Sequence, residues 1–166
     1  MKLTTNRLNL TPISSTDSLW FHELNINPQV RKYLWNDEVI SESLANDIIN
    51  ESIRLFNENQ WGLWKIDSAK NQIGYAGLWN FFDEPQPQLL YVIDPKHTRN
   101  GYAKEASQSV IKHTFEKLKF NYLIASMDEA NIASIKVCES LNMSKKETKK
   151  IDDSPIVFYQ IDNPTY

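Results

Sequence analysis

The sequence predicts an α/β domain built on a mixed, mostly antiparallel central sheet with flanking helices. Three observations point there. Residues 61–66 and 73–79 are apolar and aromatic runs on either side of a polar turn at 67–71, the pattern of an antiparallel hairpin. Another strand-like run, 89–93, is separated from 122–127 by a long amphipathic helical pattern, and such a strand-helix-strand crossover is almost always right-handed and parallel. The chain then closes with a second helix, 131–141, and a last hairpin, 145–151 with 156–161, turning at Asp152-Asp153-Ser154-Pro155.

The earlier elements follow from the same reasoning. Residues 7–12 alternate as a short strand, and Ser14, Ser15, Thr16 and Asp17 offer caps for a helix carrying Leu19, Trp20, Phe21 and Leu24. Asn27-Pro28 restarts the chain into a short turn of helix. From Ser41, the residues Leu44, Ile48, Ile49, Ile53 and Phe56 recur at helical spacing and predict an amphipathic helix that ends near 57–59. Asp83-Glu84-Pro85-Gln86-Pro87 breaks the chain before the strand at 89–93. After Gly101, Ala103, Ala106, Val110, Ile111, Thr114, Phe115 and Leu118 mark one face of the long helix, and its early alanines let it lie close to a sheet.

A chain of 166 residues, 41% apolar, can bury one core and is short for two ordinary domains, so a single domain over 1–166 is expected. The net charge of −3 and the lack of a long Lys/Arg block argue against nucleic-acid binding as the main activity; the acidic balance mildly favours a cationic substrate. Cys138 is the only cysteine, which excludes an internal disulfide and a cysteine zinc cluster, and His22, His97 and His113 lack ligand spacing, so no metal is expected. With no signal-peptide core and no apolar run of membrane-spanning length, the expected location is the cytoplasm, with no membrane partner.

The stretch from Tyr91 to Ala106 carries the strongest chemical signal: a strand, a polar turn holding one glycine, and a helix that starts at once. The first N–H groups of a helix lack intrahelical partners and sit at the positive end of its dipole, so this corner can hold a phosphate. A solvated turn with Gly101 supplying positive φ has the same local sequence.

Around this corner stand Gln72-Ile73-Gly74-Tyr75-Ala76-Gly77-Leu78 upstream and Asn131-Ile132-Ala133-Ser134 through Leu141-Asn142-Met143 downstream. The ordered set resembles the GNAT superfamily of acyl-CoA-dependent N-acyltransferases. Thr5-Asn6-Arg7-Leu8-Asn9-Leu10-Thr11-Pro12-Ile13 and Asn27-Pro28-Gln29-Val30-Arg31-Lys32-Tyr33-Leu34 extend the resemblance to its ribosomal-protein N-terminal acetyltransferase branch, over nearly the whole chain. The resemblance implies a splayed parallel strand pair in the sheet, acetyl-CoA as acyl donor, an amine acceptor and a homodimer.

It also implies a set of site residues. The family's phosphate loop falls on Thr98, Gly101 and Ala103, with Arg99, Asn100 and Tyr102 between; Thr98 departs from the usual Gln or Arg, and Arg99 replaces a frequent glycine but could add charge to the pyrophosphate. Tyr91, Val92 and Ile93 would flank the thioester, with a free backbone N–H near Val92 or Ile93 holding the oxyanion. Asn131 is implied to touch the pantetheine arm; as the first residue of a helix it reads equally as an N-cap.

The position of the family's frequent acid, a Tyr, is Cys138, which reads as a packing residue. In the ribosomal-protein branch Ser134 takes the acid role, and a hydrogen bond to the leaving thiolate suits a hydroxyl better than full proton donation. The frequent base, a Glu, is matched by Gln88, which cannot accept a proton; the branch implies Asp153 instead, beside Asp152, in what is also an ordinary hairpin turn.

A site without a strong base favours a weakly basic amine. Deprotonating an α-amino group at pH 7 costs about 1.4 kcal/mol, against about 4.6 kcal/mol for lysine. Trp35, Phe81 and Phe82 fall beside loops and are candidates to line the acceptor pocket. Two functions are therefore expected to compete: acetyl transfer to a primary amine (a protein or peptide N-terminus, or a polyamine, amino acid or aminoglycoside), and a non-catalytic acyl-CoA-binding module or regulator.

Overall fold

A computed structural model describes residues 1–69 and 71–165. The chain runs β1 (Leu3–Thr4), β2 (Leu8–Pro12), α1 (Ser18–Ile26), α2 (Pro28–Leu34), α3 (Glu42–Asn59), β3 (Leu63–Ser68), β4 (Asn71–Trp79), β5 (Gln88–Ile93), α4 (Tyr102–Glu116), β6 (Tyr122–Asp128), α5 (Ile132–Ser140), β7 (Ser144–Ile151) and β8 (Ser154–Asp162). Lys70, in the expected turn at 67–71, lies outside the described residues.

The strands form two antiparallel sheets, ordered β1-β2-β3-β4-β5 and β6-β8-β7. They meet at β5 and β6. These two strands are joined by the α4 crossover and run parallel: Gln86, just before β5, reaches the start of β6, and Gln88 reaches Ser126 farther along it. No ladder joins them among the described residues. The expected splayed parallel pair is therefore the seam between the sheets.

Two apolar clusters cover opposite faces of the first sheet. One gathers Leu8, Leu10, Trp64, Ile66, Ile73, Ala76 and Leu89 with Ala106, Val110 and Phe115 of α4 and Cys138 of α5. The other gathers Leu63 and Tyr75 with Phe21, Leu24, Ala45 and Ile49 of α1 and α3, and Val30 and Leu34 of α2 pack against it.

Local rules explain the helix ends. Ser41 Oγ accepts from Leu44 N at 3.1 Å to start α3, and Gln60 in the left-handed region ends it. Asn27 Oδ1 accepts from Gln29 N at 2.9 Å, and Pro28 takes a first-turn position, so α2 runs for two turns where one was expected. The buried stripe of α3 is Ala45, Ile49, Ser52 and Leu55, rotated from the expected one, and Leu44 is exposed. Small residues let this helix lie close, and Ser52 Oγ accepts from Leu63 N at 2.8 Å.

Candidate active site

The site begins where β5 and β6 part. Gln86 Nε2 donates to Tyr122 O at 2.7 Å, and Ser126 Oγ donates to Gln88 Oε1 at 2.6 Å. Beyond these contacts opens a cavity of about 800 Å³, lined by Leu90, Tyr91, Val92 and Ile93 on one strand and Ser126, Met127 and Asp128 on the other.

Strand alternation gives this cavity two faces. Leu89, Tyr91 and Ile93, with Leu123, Ala125 and Met127, join the cluster under α4 and α5. Leu90 and Val92 pack on the opposite cluster, beside Val30 and Leu34 of α2. On the α5 face Tyr91 Oη donates to Ser134 O at 3.0 Å and lies 3.8 Å from Cys138 Sγ. Burial raises both groups: Tyr91 far above the ordinary phenol, and the Cys138 thiol to about 11. Cys138 therefore stays protonated and packs 4.0 Å from Met127 Sδ.

At one end of the cavity lies the turn before α4. Thr98 Oγ1 donates to Pro95 O at 3.0 Å, and Asn100 Nδ2 donates to the carbonyls of His97 and Thr98 at 3.0 and 3.1 Å. Arg99 and Gly101 both hold positive φ, 64° and 78°. The turn is also tied from outside: Arg7 Nη1 donates to Asn100 O at 2.9 Å, while its Nε and Nη2 reach Glu105 Oε2 at 2.7 and 2.6 Å. Glu105 Oε1 takes the Thr5 hydroxyl at 2.6 Å and the Arg7 N–H at 3.0 Å. Burial pushes the Glu105 carboxyl up, but these donors outweigh it and hold it below the usual range.

Arg99, Lys104 and Lys136 line the cavity with the first turn of α4, and His97 Nδ1 is buried there without a hydrogen-bond partner among the described residues. These groups fit coenzyme A: open backbone donors and cations for the phosphates, an unpaired polar atom, and a slot between strands for the pantetheine arm. Asn131 Oδ1 accepts from Ser134 N at 3.2 Å and caps α5, which leaves the Asn131 amide N–H groups for the cavity it lines. Among the described residues no cluster of His, Cys, Asp and Glu suits a metal, and no helix is long and apolar enough to cross a membrane.

Residues 7–144 match the family described as acetyltransferase (GNAT) domain. The chain belongs to the GNAT acetyltransferase family. Among curated relatives it is similar to the uncharacterized N-acetyltransferase YnaD of Bacillus subtilis, 25% identical with 88% of this chain and 84% of that one covered. It is also similar to the uncharacterized N-acetyltransferase p20 of Bacillus licheniformis, 28% identical with 87% and 83% covered. Many solved structures share this fold, two of them as follows. An acetyltransferase from Agrobacterium tumefaciens has a TM-score of 0.85 at 20% identity, with 97% and 94% covered. A ribosomal L7/L12 alpha-N-protein acetyltransferase in complex with coenzyme A has a TM-score of 0.84 at 15% identity, with 98% of both chains covered.

In this GNAT chain Tyr91, Val92, Ile93, Thr98, Arg99, Gly101, Tyr102, Ala103, Asn131 and Ser134 all line one cavity. Asn100 does not, because its amide is spent closing the turn. Asp153 stands apart: Asp152 and Asp153, at φ 47° and 64°, form the tight turn between β7 and β8, and the Asp153 side chain is 97% exposed, 3.1 Å from Lys150. Trp35, Phe81 and Phe82 also fall outside the lining. Trp35 donates from Nε1 to Asn25 Oδ1 at 2.9 Å, while Phe82 sits edge-on to Phe158, their centroids 6.1 Å apart. In their place α2 supplies Gln29, Val30, Tyr33 and Leu34, and β6 supplies Asp128. Sequence reasoning missed these and Arg7, whose partners lie more than 90 residues away. The stretches Thr5 to Ile13 and Asn27 to Leu34, which carry the family resemblance, contain Arg7 and the α2 lining residues but give no hint of their roles; Asp128 has no such signal.

Proposed function

We propose that this chain transfers an acetyl group from acetyl-CoA to a primary amine by direct attack in a ternary complex. The observation that carries the reading is one cavity at the β5–β6 seam that is lined both by the phosphate-suited turn before α4 and by α2, which packs with Leu90 and Val92 on the face opposite Tyr91 and Met127. Acetyl-CoA threads the seam. With β4 on one edge and, among the described residues, no ladder on the other, β5 keeps backbone groups free toward the thioester, and an N–H near Val92 or Ile93 holds the oxyanion. Attack forms the C–N bond and breaks the C–S bond. The thiolate leaves on the α5 face, where the Ser134 hydroxyl hydrogen-bonds it. Holding both reactants in one cleft supplies the proximity that such an attack needs.

The acceptor we favour is a protein or peptide N-terminus, as in the L7/L12 enzyme that shares the fold. The lower deprotonation cost of an α-amine supports that choice. A second reading, an acyl-CoA-binding module without turnover, draws support from Gln88, an amide held between Ser126 and the Phe81 carbonyl where a basic carboxylate would be needed, and from Cys138, whose thiol burial keeps protonated. Calorimetric titration with acetyl-CoA, then thiol release across peptide N-termini, polyamines, amino acids and aminoglycosides, tests both. Amine-dependent release is expected; tight binding with no release from any amine would favour the module.

A further inference from the structure

Asp128 is the only carboxylate that lines the cavity among the described residues, and the cationic lining groups Arg99, Lys104 and Lys136 belong to the α4 turn and α5. Its carboxylate makes no ion pair or hydrogen bond with another described residue, whereas Asp17 and Glu105 are held by several donors. The backbone is fixed on both sides: Asp128 pairs with Ile156 across the β6–β8 ladder, and its carbonyl accepts from Asn131 N at 2.9 Å.

Its direction follows from the pairing. Side chains directly opposite in an antiparallel ladder share a face, and Ile156 belongs to the cluster of Ile124 and Phe158. Asp128 thus points with Ser126, which bonds Gln88, toward the face where Leu90 and Val92 meet α2. Ser134 and Cys138 lie across the seam, on the face of Tyr91 and Met127. Tyr33 Oη reaches Ala130 O at 3.3 Å and brings α2 over this end of β6.

We propose that Asp128 receives the ammonium group of the acceptor on the α2 face of the seam and takes its proton before attack. This rests on the acetyltransferase reading above. The step balances: a proton passes from R–NH3+ to the Asp128 carboxylate, and the neutral amine attacks the thioester carbon. The C–N bond forms as the C–S bond breaks, the amide sheds its second proton to the coenzyme A thiolate, and Asp128 returns its proton to solvent. An ordinary aspartate lies about four pK units below an α-ammonium. Burial raises the Asp128 carboxyl and narrows that gap. One carboxylate also sets the substrate class. A single ammonium on a neutral stem fits, while the further ammonium groups of a polyamine or aminoglycoside find no acidic partner in the lining.

The test compares the unaltered chain with Asp128→Asn and Asp128→Glu, using acetyl-CoA with a neutral alanyl tetrapeptide amide and with spermidine. Asp128→Asn is expected to lower kcat/KM for the tetrapeptide about 100-fold, through both kcat and KM, with acetyl-CoA affinity unchanged within about twofold. Asp128→Glu is expected to recover part of the loss. Equal turnover by Asp128→Asn, or loss of its acetyl-CoA affinity, would overturn the assignment while the acetyltransferase reading stands. A preference for spermidine would overturn the single-ammonium class. Absence of thiol release by the unaltered chain with every amine would overturn the acetyltransferase reading, and the Asp128 role with it.

Discussion

Ser126 Oγ donates to Gln88 Oε1 at 2.6 Å, so that the side chain which closes β6 onto β5 sits just before the two strands part. Gln88 is fully buried, and its Nε2 donates to Phe81 O at 3.2 Å. The amide thus uses an acceptor and a donor at once, which a carboxylate cannot do. Gln88→Glu sets an acceptor against the Phe81 carbonyl and is expected to lower stability by about 1–3 kcal/mol at pH 7, read by urea unfolding. Although a Glu here restores a family-like base, acetyl transfer is expected to be no faster, because the carboxyl stays inside the latch.

This latch shows where the sequence was readable and where it was not. Alternation and helical period depend on neighbours within one element, so β3 to β6, α4 and α5 follow from local pattern. The placement of Tyr91, Val92, Ile93, Thr98, Arg99, Gly101, Tyr102, Ala103, Asn131 and Ser134 around one cavity follows from the same local patterns, since each sits at a strand end, in the turn or at a helix start. The Gln88–Ser126 bond, the Arg7–Asn100 contact and the approach of α2 are partnerships across 38 residues or more, and a single chain carries no local trace of them. Asp153 stands outside the cavity lining, in a tight turn that selects Asp for its tolerance of positive φ whatever the chemistry nearby. Trp35, Phe81 and Phe82 fall beside loops in the sequence, but the lining residues are those of α2, whose approach to the seam has no local trace.

Asn131 fills one of its two expected roles, the helix cap, with one atom and leaves another atom free for the other. Oδ1 caps α5 through Ser134 N, and Nδ2 has no protein partner among the described residues. Asn131→Asp keeps the cap acceptor and removes the donor, so it is expected to preserve stability while weakening acetyl-CoA binding about tenfold. Asn131→Ala loses both, with a further loss of about 1 kcal/mol in stability. Calorimetric affinity and urea unfolding, measured on both variants, separate the roles; unchanged affinity in Asn131→Asp would leave only the cap.

Arg7 and Arg99 act on the same turn from opposite directions. Arg7 holds the Asn100 carbonyl and Glu105, so Arg7→Ala is expected to weaken acetyl-CoA binding several-fold from outside the cavity, with a stability loss of about 1 kcal/mol. Arg99 adopts φ 64°, a conformation glycine takes without penalty. Arg99→Gly should therefore change stability by less than about 1 kcal/mol, because relief of the left-handed strain offsets the lost chain stiffness. Its acetyl-CoA affinity should fall and depend less on salt, since a cation near the phosphates is gone. Titrations at low and high ionic strength read this, and an unaltered salt dependence would remove Arg99 from the phosphate site.

Asp17 contributes to the pH dependence of the fold. Burial at 4% exposure pushes its carboxyl up, but the Lys65 ammonium at 2.7 Å and the Ser14 N–H and hydroxyl, each at 2.9 Å, outweigh that and hold it below the usual range. A carboxyl depressed in the folded state binds its proton more readily when unfolded. Its contribution is therefore present above the unfolded value of about 3.9 and is lost as pH falls through the folded value. Asp17→Asn leaves the Lys65 ammonium, only 19% exposed, without its counter-ion and is expected to cost about 3 kcal/mol at pH 7. The gap between the unaltered chain and Asp17→Asn should stay constant from pH 7 to pH 5 and close below pH 4, measured by urea unfolding across that range. A gap that persists at pH 2 would mean that the lost packing and hydrogen bonds, and not the ion pair, carry the effect.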